Sequence, residues 1–106
     1  MTSADKLSKQ LDDLWRKHFP LIRSRIEIIQ LAVDALHNNR LTHELQVEAA
    51  REAHKLVGAL GAFGLLSGSD AATEIEKLLS EESADSVPAE KLSACLDTIK
   101  SQVHSK

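Results

Sequence analysis

Cysteine occurs once in these 106 residues, at Cys95. An internal disulfide is therefore excluded, and the lone thiol fits a reducing, cytoplasmic setting. Tyrosine is absent and the aromatics stop at Trp15, Phe19 and Phe63, so the core must be aliphatic. A β protein would want more Val, Tyr and Thr than this chain has. No apolar run reaches the 18 residues of a membrane span. The start, Met1-Thr-Ser-Ala-Asp-Lys6, lacks the basic and apolar regions of a signal peptide. No basic excess exists either: the net charge is -3, which argues against nucleic-acid binding. The densest basic cluster, Arg16-Lys17-His18 with Arg23 and Arg25, reads as a solvated helix end. There is no P-loop, no internal repeat, no low-complexity tract and no linker. One domain spanning 1–106 is expected, with room for a single core.

What the chain does have is leucine, isoleucine and alanine at helical spacing. Leu7, Leu11, Leu14 and Trp15 mark a short helix over 1–17, capped by Ser3 or Asp5 and lying across one end of the molecule. Pro20 suits the first turn of a new helix. From Phe19 that helix has the stripe Ile22, Ile26, Ile29, Val33, Leu36, widened by Leu21, Ile28, Leu31, Ala32 and Ala35. So broad an apolar surface should be covered on two sides. The polar turn His37-Asn-Asn-Arg40 ends it, and Thr42 caps the next helix, with Glu44 in its first turn. A further helix over roughly Leu65 to Ser80 buries Leu65 or Leu66, Ala71, Ala72, Ile75, Leu78 and Leu79. Gly68 blurs where that helix begins, and an acidic loop, Glu81 to Ser86, follows it. Pro88 opens the last helix, with the stripe Leu92, Leu96, Ile99, Val103 and a frayed end from Gln102 to Lys106. The expected fold is all-α: an antiparallel up-down-up-down four-helix bundle over about 19–104, with a short additional N-terminal helix.

The stretch Ala49 to Leu65 carries the most information. Leu45, Ala49, Ala53, Leu56, Leu60 and Phe63 step by three and four along one face of a helix. At about 100° per residue, His54 lies roughly 145° from the middle of that stripe and faces water. Its neighbours one turn away are Ala50 and Gly58, with Gly61 a further turn on. Glycine inside a helix costs about 1 kcal/mol relative to alanine, so a bared outer face calls for a reason. Close helix packing is one reason, with Gly64 as a left-handed C-cap. The other, preferred here because both internal glycines point to the histidine side, is that a macromolecule approaches His54 over Ala50, Val57, Gly58 and Gly61.

These residues carry a resemblance. Ala53-His54-Lys55-Leu56-Val57-Gly58, then Gly61, Phe63-Gly64 and Leu65, resemble the signature of histidine-containing phosphotransfer (HPt) domains, the phosphohistidine carriers of two-component phosphorelays. The resemblance implies a helical bundle and a phosphoryl group accepted on His54 and passed to or from an aspartate. It also implies two kinds of partner: a response-regulator receiver domain and a histidine kinase or hybrid kinase. The Mg²⁺ would belong to the partner domain, so no cofactor is expected here and the chain is not itself an enzyme. A monomer is expected, with no membrane and no nucleic acid. One position departs from the family pattern, where a lysine usually stands three residues after the histidine and Val57 stands here. Arg51, one turn before His54, and Lys55, adjacent to it, are the cations expected to support the phosphoryl group in its place.

The chemistry of the residues agrees independently. Neutral imidazole is a good nucleophile near physiological pH. A histidine bared on a convex helix cannot enclose a nucleotide, so groups that neutralise the moving phosphoryl must come from outside. The rival reading is a helical adaptor that docks a receiver domain or another signalling partner without phosphotransfer, His54 then being an inert surface residue. His18, His37, His43 and His104 read as exposed structural residues, and His43 lies about 16 Å along the helix from His54, too far to share a metal. Glu74 and Glu76, two apart on one helix, do not face each other and form no acid/base pair. Cys95, between Leu92 and Leu96, reads as a small, partly buried residue.

Overall fold

In the computed structural model, residues 3–106 are described, so Met1 and Thr2 of the expected domain lie outside the described residues. The described chain is helical throughout, with no strand among these residues. α1 covers Ser3–His37, α2 His43–Ala62, α3 Leu66–Glu81 and α4 Ala89–His104, with one 3₁₀ turn at Ala84–Ser86. α1 packs on α2 and α4, and α3 packs on the same two helices, closing a ring around one core. Each stripe reaches that core. Ile22, Ile26, Ile29 and Val33 come from α1, and Ala49, Ala53, Leu56 and Leu60 from α2. Ala72, Ile75 and Leu79 enter from α3, and Leu92, Leu96, Ile99 and Val103 from α4.

The N-terminal stretch corrects the expectation of a separate short helix. α1 is one element of 35 residues with Pro20 inside it, and both expected caps, Ser3 and Asp5, fall within its helical span. Proline removes one backbone hydrogen bond to the residue four before it, here Arg16. Both residues are exposed, so water can reach the freed carbonyl. Aromatic contacts anchor the helix just before that proline. The Trp15 ring stands edge-on to Phe63 at the end of α2, with centroids 5.1 Å apart, and tilts against Phe19 at 5.9 Å.

At 1.5 Å per residue α1 runs about 52 Å, which accounts for the long dimension of the 55 × 20 × 18 Å envelope. Its first turns overhang the bundle, and Leu7, Leu11 and Leu14 remain 57%, 41% and 46% exposed instead of lying across its end. Leu21 and Leu31 are also exposed, whereas Ala32 is buried and Ile28 and Ala35 are half-buried, so α2 and α4 cover the broad apolar surface of α1 only in part.

Turn chemistry sets the connections. At the end of α1, Asn39 takes the left-handed conformation (φ 55°). The Arg40 N–H donates to the Ala35 carbonyl at 2.7 Å and the Asn39 N–H to Leu36, a Schellman closure. α2 ends the same way: Gly64 has φ 75°, its N–H donates to Gly61, and the Leu65 N–H donates to Leu60. Thr42 caps α2, its hydroxyl accepting from the Leu45 N–H at 3.1 Å.

Two glutamines tie helix ends together. The buried Gln46 amide donates to the Leu79 and Glu82 carbonyls at the end of α3, where no basic residue stands. Gln102 Oε1 accepts from the Gly68 N–H at 2.6 Å. A Cβ on Gly68 would lie 3.2 Å from that oxygen and 3.3 Å from Leu60, so glycine here permits the close approach of α3. α4 consequently stays helical through His104 and does not fray from Gln102 onward.

Candidate functional site

His54 projects from the middle of α2 with its side chain 72% exposed. Its Nδ1 lies 2.7 Å from Oε2 of Glu76 on α3. A carboxylate can only accept, so Nδ1 carries the proton of this contact and the Nε2 lone pair is turned away from α3. Glu76 was not singled out by spacing within its own helix, because its partner is on a different one. Its sequence neighbour Glu74 turns elsewhere, pairing with Lys91 of α4 at 3.0 Å. That hydrogen bond and charge hold the Glu74 carboxyl below its ordinary range and raise Lys91.

The residues around the imidazole divide into open and packed ones. Gly58 is exposed, and a Cβ placed on it would meet nothing within 4 Å, so no packing within the chain requires glycine there. Gly61 is half-buried, with the Ser69 hydroxyl 3.6 Å from where its Cβ would be. Ser69 in turn donates to the Val57 carbonyl at 2.8 Å, fastening α3 to α2 just past the histidine. Ala50 and Val57 are half-buried and rest against the core. Arg51 is exposed and has no ion-pair partner among the described residues.

Lys55 is engaged, though loosely. Its ammonium lies 3.4 Å from Oε1 of Glu52, while Oε2 of the same carboxylate lies 3.4 Å from Nε of Arg25 on α1. Beside this cluster runs an apolar groove of about 570 Å³ between α1 and α2, with Leu14, Leu21, Ala59, Ala62 and Phe63 in its walls. Lys55 also lines it, so the groove adjoins the histidine-bearing face. Among the described residues, no three His, Cys, Asp or Glu side chains are grouped to hold a metal ion. None of the helices among them is long and apolar enough to cross a membrane.

A solvent-facing histidine, oriented by a carboxylate on a neighbouring helix and flanked by an uncovered glycine, sits within a sequence that matches the Hpt domain over residues 13–105. The chain belongs to the Hpt domain family. Hpt domains are phosphocarrier modules of two-component signalling, and membership gives this chain a phosphorelay role in histidine phosphotransfer. It is 35% identical over 66 residues to protein RcaC of Microchaete diplosiphon. That alignment covers 62% of this chain and 10% of RcaC, so the Hpt chain corresponds to a small part of that much longer protein. No solved structure matches the chain significantly.

Proposed function

We propose that His54 is the phosphoryl acceptor and donor of this Hpt domain, exchanging the group with an aspartate of a response-regulator receiver domain. The observation that carries this reading is the paired geometry of His54 and Glu76, with Nδ1 held by the carboxylate on an exposed ring and Gly58 uncovered one turn along the helix. In the forward step the Nε2 lone pair attacks the phosphorus of an aspartyl phosphate. An N–P bond forms, the P–O bond to the aspartate breaks, and the carboxylate leaves with the electron pair. The ring becomes a phosphorylated imidazolium whose Nδ1 proton still points at Glu76, so the new positive charge has a carboxylate beside it. Reversing the same steps returns the group to an aspartate.

Nothing on this convex surface encloses the phosphoryl, so the partner supplies its Mg²⁺ and most of the charge neutralisation. Ala50, Val57, Gly58 and Gly61 form the docking face, and the apolar groove beside Lys55 extends it towards α1. Arg51 and Lys55 support the phosphoryl group, because Val57 carries no amine. A kinase or hybrid kinase loads the relay at its other end. The short connections between helices that touch favour the antiparallel up-down-up-down arrangement, and the domain works as a cytoplasmic monomer in this reading.

The test is phosphotransfer itself. Mixed with a phosphorylated receiver domain, the wild type should acquire an acid-labile, base-stable label, and His54→Gln should acquire none while melting as the wild type does. Label persisting on His54→Gln at the wild-type rate would remove His54 from the relay.

A further inference from the structure

Glu52 divides one carboxylate between two cations of unequal freedom. Oε2 faces Nε of Arg25, which reaches across from α1, and Oε1 faces Nζ of Lys55 one turn along α2. Glu52 is 14% exposed and Arg25 nearly as enclosed, and that guanidinium Nε has no hydrogen-bond partner of good geometry. Lys55 is the loose member: it is half exposed, and its 3.4 Å contact is well beyond the roughly 2.7–2.9 Å of a strong charge-assisted bond. It is also the residue next to His54, at a Cα spacing of about 3.8 Å, on a flexible four-carbon stem.

We propose that Glu52 is a positioning residue that meters Lys55: it parks the Lys55 ammonium against the α1–α2 seam while His54 is unmodified, and yields it to a phosphoryl group on Nε2. The inference rests on His54 being the phosphoryl carrier. A phosphoryl group brings a charge of about -1.5 to -2 into this exposed site, more than the single charge of the carboxylate that holds Lys55. Arg25 makes the exchange workable. When Lys55 leaves, Glu52 remains paired with the guanidinium, so the enclosed carboxylate is never left without a cation. Without Arg25 the same release would strand a buried charge, and Lys55 would stay where it is. The amine missing at Val57 is thus supplied by a neighbour held in reserve.

The full chain is phosphorylated with phosphoramidate, a small donor that needs no partner protein, and followed by phosphorus and lysine side-chain NMR. In the wild type the Lys55 Cε and Nζ resonances should move on phosphorylation, and those of Lys77 and Lys100 should not. Lys55→Ala should raise the pH at which the phosphoryl group loses its second proton, by up to about 0.7 pH unit for one exposed cation. Glu52→Gln should lower it, and Glu52→Gln/Lys55→Ala should match Lys55→Ala. A purely structural role for Glu52 would move the melting temperature and leave this titration alone. The wild-type and Lys55→Ala measurements decide the matter even if Glu52→Gln folds poorly. Phosphohistidine that forms while Lys55 does not respond overturns the metering by Glu52 alone. No phosphohistidine on His54 with any donor, phosphorylated receiver domains included, overturns the phosphoryl-carrier reading with it.

Discussion

Glu76 and His54 stand on neighbouring helices with 2.7 Å between carboxylate and Nδ1, and that contact divides the two ring nitrogens between two tasks. One is held and the other is presented. Glu76→Ala should therefore keep the fold and slow phosphotransfer by about three- to tenfold. That is the loss of one charge-assisted hydrogen bond discounted for exposure, at a factor of ten per 1.4 kcal/mol. Glu76→Gln can still accept from Nδ1 through its amide oxygen and should fall between. Transfer from a phosphorylated receiver domain, timed by quenched flow, measures both. A Glu76→Ala protein as fast as the wild type means the ring needs no orienting.

The glycines of this chain separate by what surrounds them. Gly58 has open space where a Cβ would go, so Gly58→Ala should gain about 1 kcal/mol from helix propensity. In a domain of this size that is a rise of roughly 4–8 °C in melting temperature. Gly64 at φ 75° and Gly68 beneath Gln102 should both lose stability on the same change. Gly58→Glu tests docking: it should fold normally yet transfer at least tenfold more slowly, because it sets a charge against an acidic receiver pocket. Unimpaired transfer by Gly58→Glu would move the docking face elsewhere.

The sequence pattern located the bundle because each helix buries a stripe stepping by three and four, and Ile22 to Val33, Ala49 to Leu60 and Leu92 to Val103 all reach the core. Thr42 and Gly64 were legible for a related reason, since their cap chemistry is local. What escaped notice depends on contacts between distant residues. Glu76 meets His54 only once α3 lies against α2, and Gln102 holds Gly68 from 34 positions away. The continuity of α1 through Pro20 escaped for the same reason. Proline disfavours a helix interior locally, and the contact of Trp15 with Phe63 is invisible along the chain. Exposure of His54 was readable from the wheel. Its orientation was not.

The overhang of α1 gives a stability contrast. Leu7→Ala or Leu11→Ala should change unfolding free energy by no more than about 1 kcal/mol, because those side chains stay 57% and 41% exposed. Leu56→Ala, at a fully buried core position, should lose about 2–5 kcal/mol. Urea melts of the three variants check this. A loss at Leu7 or Leu11 comparable with that at Leu56 would mean the overhang is covered in solution.

Burial, and secondarily the charge of Glu74, pushes the Cys95 thiol above its ordinary range. Less thiolate then exists at pH 8 than in an unfolded chain, and the thiolate is the reactive form. Alkylation by iodoacetamide should be several-fold slower in the native protein than in 8 M urea, with the gap narrowing as pH rises through the raised value. Lys91→Gln removes the nearby cation that counters this shift, so native alkylation should slow further. A faster reaction in that variant contradicts the assigned causes.

Val57 stands where a lysine is usual in the family, and two cations could answer for it. Arg51 is exposed and has no ion-pair partner among the described residues, one helical turn before His54, whereas Lys55 rests on Glu52. In the proposed relay, Arg51 is the cation an incoming phosphoryl group meets first, and Lys55 the one that joins once the group has arrived. Arg51→Ala should slow acceptance by up to about fivefold at low salt, the most an exposed charge contributes, and the effect should shrink as salt rises. Lys55→Ala should change acceptance less than it changes the titration of phosphohistidine already formed. Val57→Lys should restore the rate in the Arg51→Ala background. The half-buried valine position can take it, because a lysine stem lies along apolar surface while its ammonium reaches water. Transfer rates for the wild type, the three single variants and Arg51→Ala/Val57→Lys, each at 20 mM and 300 mM salt, decide among these roles. If Arg51→Ala accepts phosphate as quickly as the wild type at low salt, the lysine missing at position 57 is left uncompensated during the approach, and steering falls to the partner's own surface.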